Sequence, residues 1–132
     1  MSRPSIELRA PLEVGPREWG REILIAHTDA YIGKILLMKA GTAGGLQYHR
    51  RKIETFFLDE GQAFVDYDVD GKLTTLSMSP GMIVHVPAGA PHRVRAITDC
   101  KFFEVSTPVF EDRVRVEGEY GEPEGSGLPT TP

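Results

Sequence analysis

Gln47, His49, Glu54 and His92 are the residues of this chain whose types and spacing best fit one metal ion. Gln47 and His49 stand two apart, so in a strand they project from the same face, where an amide oxygen and an imidazole nitrogen can reach a single cation. Glu54 opens the apolar run Thr55-Phe56-Phe57-Leu58. A carboxylate at the start of a buried strand needs a partner to offset its desolvation, and a cation would provide one. His92 follows the turn Pro87-Ala88-Gly89-Ala90-Pro91 and supplies a fourth donor. Two nitrogens and two oxygens suit one divalent ion per chain, Zn²⁺, Mn²⁺, Fe²⁺, Co²⁺ or Ni²⁺.

The elements that must position these groups read as strands. Turn residues punctuate the chain at short intervals, and the runs between them are rich in β-branched and aromatic residues, the pattern of an all-β sandwich or barrel. The expected strands are Trp19–His27, Tyr31–Met38, Glu54–Asp59, Gln62–Tyr67, Lys72–Met78, Met82–Val86, His92–Ala96 and Lys101–Ser106, with almost no helix. Asp70-Gly71 marks a hairpin, because Asp-Gly supplies the positive φ angles of a type I′ turn. Trp19, Phe56, Phe57, Phe64, Phe102 and Phe103 are most simply core. Residues 1–120 form one domain with its metal-site core at 41–96. Ser2–Gly15 drapes over the barrel or extends an edge strand, and Gly121–Pro132, almost without apolar residues, is a loose tail.

Composition narrows the class. With 132 residues, 40% hydrophobic and 26% charged, the chain is one ordinary globular domain. A formal charge of −4 gives no basic field for a polyanion, so nucleic acid is not an expected partner. Ile23–Ala26 is far too short to span a bilayer, so no membrane segment is expected. A single cysteine, Cys100, and a start without the apolar core of a signal peptide point to the cytoplasm. Exposed barrel edges and the extended N-terminus favour a homodimer, because unpaired backbone groups invite strand addition.

Two stretches then carry a family resemblance. Gly41, His49, Glu54 and Gly61 fall in register with the first motif of the cupin superfamily, and Gly81, Pro87, Gly89 and His92 with the second. The sequence departs from the motifs at Gln47, where a histidine is usual, and at Ala96, where the second motif ends in Asn. The resemblance implies a double-stranded β-helix, a jelly-roll barrel of two antiparallel sheets. The Gln-His-Glu-His set resembles the one with which phosphomannose isomerases hold zinc, which makes Zn²⁺ the favoured ion. Pro16-Arg17-Glu18-Trp19-Gly20, Val86-Pro87, His92-Arg93, Glu104-Val105 and Arg113–Glu117 look like the isomerase part of the bifunctional mannose-6-phosphate isomerase/mannose-1-phosphate guanylyltransferase enzymes.

That likeness implies a metal-dependent aldose–ketose isomerase acting on a sugar or sugar phosphate. Glu104 is the expected base, with Lys34, Lys39 and His85 as further candidates for proton transfer. Arg50, Arg51, Lys52 and Arg93 adjoin the ligands and could clamp a phosphate. Two other classes fit the same ligands: a metal-dependent dioxygenase, and a non-catalytic sugar-binding or regulatory protein.

Overall fold

A computed structural model describes residues 3–122. Its strands are β1 (Leu12–Arg17), β2 (Gly20–His27), β3 (Ile32–Met38), β4 (Gln47–His49), β5 (Glu54–Glu60), β6 (Ala63–Val69), β7 (Lys72–Met78), β8 (Ile83–Val86), β9 (His92–Ala96), β10 (Cys100–Ser106) and β11 (Arg113–Arg115). The helical content among the described residues is one 3₁₀ turn, Glu117–Tyr120. The strands form two antiparallel sheets, one in the order β1-β2-β3-β10-β5-β8 and the other β11-β4-β9-β6-β7. Every strand predicted from the sequence is present, with ends that differ by a few residues. Strands β1, β4 and β11 are additional, and β1 pairs with β2 as an edge strand, the second of the two expectations for the N-terminus.

The sheets enclose an apolar cluster that includes Trp19, Met38, Phe56, Leu58, Val65, Met78 and Phe102. Strand alternation decides which aromatics join it. Phe56 and Phe102 point between the sheets, whereas Phe57, 36% exposed, lies on the outer face with Phe103, their rings 6.3 Å apart. The expectation that all six aromatics form the core is therefore corrected: Phe57 and Phe103 have the wrong parity for the interior, and Phe64 sits under the Arg95 guanidinium on the outside. Asp70 and Gly71 both take positive φ in the predicted β6–β7 turn. Gly61 has φ +99°, and a Cβ there would lie 2.3 Å from the Asp99 carbonyl oxygen, so only glycine fits. Of the tail expected from Gly121, residues 123–132 lie outside the described residues, while Glu122 pairs with Arg93. Among the described residues no helix is long and apolar enough to cross a membrane.

Candidate metal centre

The short strand β4 brings Gln47 and His49 onto the inner face of the five-stranded sheet, and its register places Gln47 opposite His92 on β9. Glu54 begins β5 on the facing sheet, opposite Val86 and Ser106. The four predicted ligands thus come from both sheets and line one cavity of about 50 Å³ together with Lys52 and Glu104. All four are buried.

His49, Glu54 and His92 each offer a ligand atom, and these atoms lie within 4.8 Å of one another. His92 Nε2 is 3.1 Å from Glu54 Oε2, and His49 Nε2 is 3.5 Å from Glu54 Oε1. Donors held at about 2.1 Å around a tetrahedral ion sit about 3.4 Å from each other, so the spacing fits a transition-metal ion.

The other ring nitrogens decide the protonation. His49 Nδ1 is 3.0 Å from Asp112 Oδ1, and His92 Nδ1 is 2.9 Å from the carbonyl oxygen of Ala90. A carbonyl and an ionised carboxylate only accept, so in each neutral imidazole the proton sits on Nδ1 and the Nε2 lone pair faces Glu54. Burial pushes the His49 imidazole below its ordinary range, against the pull of Glu54, and so favours the neutral form. Two lone pairs and a carboxylate converging on one point repel unless a proton or a metal ion lies between them. Burial would raise the Glu54 carboxyl, but with a proton on His92 Nε2 the hydrogen bond it donates, together with the charge of Lys52, outweighs burial and holds the group down, to about 2. Glu54 is an anion whether a proton or a metal ion occupies the centre.

A chain of ion pairs runs from this centre across the inner face of the six-stranded sheet. Lys52 Nζ lies 3.0 Å from Glu54 Oε1 and 3.4 Å from Glu104 Oε2. Lys34 Nζ lies 4.0 Å from Glu104 Oε2 and 3.0 Å from Glu22 Oε1, and Arg17 closes the series on Glu22 at 3.1 Å. Burial lowers the Lys52 ammonium, but Glu104 and Glu54 outweigh it and keep the group cationic. Burial, then repulsion from Glu54, raise the Glu104 carboxyl above the usual range despite Lys52 and Lys34. Ser106 Oγ donates to Glu104 Oε2 at 3.3 Å.

Glu104 and Lys34, expected to act in proton transfer, are buried in cross-strand register with each other, and Glu104 lines the cavity. His85 does not join them. It lies exposed on the outside of β8, hydrogen-bonded to Thr55 at 3.0 Å, because it alternates with the inward-facing Val84 and Val86. Lys39 is also exposed. The four basic residues expected to clamp a phosphate are dispersed: Arg50 and Arg51 are exposed and outside the cavity wall, while Lys52 and Arg93 line it but are already ion-paired. Lys52 is thus not a rim residue. At 2% exposure it belongs to the interior.

Three participants lie beyond the sequence reading. Asp112 accepts from His49 and from the backbone N–H groups of Arg51 and Lys52, both at 2.8 Å, and so fixes the ligand ring and the loop that delivers Lys52. Burial raises the Asp112 carboxyl, but those three donors outweigh it and lower it. No motif marks Asp112, which stands 63 residues from His49. Glu22 and Arg17 extend the charged series. Glu22 was accessible to an alternation argument, since Leu24 shares its parity along β2 ahead of the register shift between Leu24 and Ala26.

Residues 34–106 match the family model described as Cupin domain. The chain belongs to the cupin family. No curated protein matches it. Among solved structures, this cupin is similar to CapF of Staphylococcus aureus, a capsular polysaccharide assembling protein, at 18% identity and a TM-score of 0.73 over 83% of this chain and 32% of that one. It is also similar to oxalate decarboxylase of Bacillus subtilis, at 17% identity and a TM-score of 0.69 over 81% of this chain and 30% of that one. The cupin spans about a third of the length of these proteins. At such identities the likeness shows the shared fold.

Proposed function

We propose that this cupin is a metal-dependent isomerase that moves a proton between neighbouring carbons of a sugar or sugar phosphate. The observation that carries the reading is Lys52 Nζ, held between Glu54 of the metal cluster and the Glu104 carboxyl in one buried cavity. Held by His49, Glu54, His92 and Gln47, a divalent ion supplies Lewis acidity toward a carbonyl oxygen. The cupin's own groups do the rest. In an aldose-to-ketose conversion the C2–H bond breaks and the proton passes to the Glu104 carboxylate, then returns to C1. The proton on the C2 hydroxyl is transferred to the C1 oxygen. Lys52 donates a hydrogen bond to the oxygen that gains charge. A carboxyl raised by burial holds and releases a proton nearer neutral pH than an exposed one, which suits a group that must do both.

The cavity limits how a sugar enters. About 50 Å³ is room for about two waters at about 30 Å³ each, so the reacting end sits inside and the remainder lies at the mouth. Arg93 can meet a phosphate only by loosening its pairs with Asp66 and Glu122. Mannose 6-phosphate and fructose 6-phosphate are the pair the sequence resemblance implies, and free sugars of the same stereochemistry belong beside them in the test.

The test is NMR of the metal-loaded protein with aldoses, ketoses and their phosphates in D₂O, looking for deuterium at the carbon next to the carbonyl. Exchange that falls at least about 100-fold in Glu104→Gln, with metal content unchanged, is the expected result. No exchange with any sugar rejects the proposal. A second reading draws on the ligand types: His49, Glu54 and His92 make two histidines and one carboxylate, the set of non-haem iron oxygenases. Bound iron with oxygen uptake would favour that reading.

A further inference from the structure

Strand β11 sets two arginines beside the metal ligands. In register with β4, Arg113 stands opposite His49 and Arg115 opposite Gln47. Residues directly opposite each other in an antiparallel pair project from the same face. Both arginines therefore share the inner face with the two ligands, one strand spacing away, about 4.8 Å. The other sheet supplies a third guanidinium. Arg17 ends the edge strand β1 and pairs with Glu22 at 3.1 Å, and Glu22 lines the metal cavity. Strand β11 is likewise the edge of its own sheet, so the three arginines meet where the edges of the two sheets adjoin.

Burial, then the charges of Arg115 and Arg17, lower the Arg113 guanidinium, while Glu117 acts the other way. Like charges so placed repel. Gly45 forms part of the cavity wall, and a Cβ on it would lie 2.8 Å from Arg115 Cζ, so that guanidinium rests against the wall. The side chains of Arg17 and Arg115 are 26% and 27% exposed, whereas the four metal ligands are buried. The arginines thus reach solvent while adjoining the cavity.

Arg17 holds Glu22, which Lys34 shares at 3.0 Å, and Arg115 Nε holds Glu117 Oε1 at 2.6 Å. Those two carboxylates carry less charge than the four cations around them. An incoming oxyanion relieves the repulsion and meets guanidinium donors from both sheets at once, the geometry that phosphate and carboxylate groups favour.

We infer that Arg17, Arg113 and Arg115 form a subsite for an oxyanion, a phosphate or a carboxylate, carried by a sugar whose reacting end lies in the metal cavity. The sugar itself rests on the isomerase reading; the anion rests on the arginines. Titration calorimetry of the metal-loaded protein should compare mannose with mannose 6-phosphate and mannuronate. At least one of the two anionic forms should bind about tenfold or more tighter than mannose, and the tighter one identifies the anion. Arg113→Gln should cut that preference to below about threefold while one metal ion per chain is retained, and Arg17→Gln, on the other sheet, should do the same. Equal binding of all three sugars overturns the subsite, as does a preference that survives both substitutions or an absence of binding at about 10 mM. Preferred binding without deuterium exchange would reject the isomerase and leave the subsite standing. Exchange with equal binding would do the reverse.

Discussion

Two buried carboxylates, Glu54 inside the barrel and Asp66 on the outward side of the five-stranded sheet, are satisfied in opposite ways. Asp66 accepts from Arg93 Nε at 2.9 Å, Arg95 Nε at 2.7 Å, Arg95 Nη2 at 2.8 Å and Thr75 Oγ1 at 2.7 Å. Burial raises its carboxyl, and Arg95, Thr75 and Arg93 more than reverse that. The cluster is complete with protein donors. Glu54 has Lys52 on one oxygen and, in the neutral state of both rings, two imidazole lone pairs pointing at it. A proton or a metal ion between the rings and the carboxylate would complete that cluster. The lesson is that burial and a lowered carboxyl are common to structural and ligand-binding clusters, whereas the direction of the histidine lone pairs separates them.

The sharpest way to break the comparison is to remove ligands on one side only. His49→Ala and His92→Ala should each lower metal affinity more than about 100-fold, read by elemental analysis after dialysis, and abolish the rise in melting temperature that added metal gives. Asp66→Ala should leave metal stoichiometry intact and cost about 2 kcal/mol of folding stability in urea titrations, because Arg95 and Thr75 lose their acceptor while Arg93 keeps Glu122. If Asp66→Ala removed the metal, the two clusters would be one system.

A finer test acts on Asp112, which holds the Nδ1 proton of His49. Asp112→Asn should weaken metal binding about 10- to 100-fold while leaving one ion per chain at saturation. A further test concerns pH in the metal-free protein. The Glu54 carboxyl falls from an ordinary 4.5 to about 2 on folding. Its stabilisation is therefore full above about pH 4.5 and lost as pH falls toward 2. Melting temperatures with chelator should decline through that window, and Glu54→Gln should flatten the decline.

The sequence alone determined a good deal of this protein. Period-two alternation and turn residues located the strands, since a strand's two faces meet different environments and its ends need glycine or proline. Gln47, His49, Glu54 and His92 could be picked out because ligand spacing is constrained locally by the strand and turn that carry them. Only the tertiary structure decided what surrounds them. That Lys52 turns inward while Arg50 and Arg51 stay outside depends on Asp112, 60 residues away, capturing the loop's N–H groups. Glu22, Lys34 and Glu104 form a charged row only because β2, β3 and β10 adopt one register. Phe57 and Phe103 are outward for the same reason. Local spacing records which groups share a face of one strand, but pairings between distant segments arise when the sheets close, and burial then sets the charge of each group.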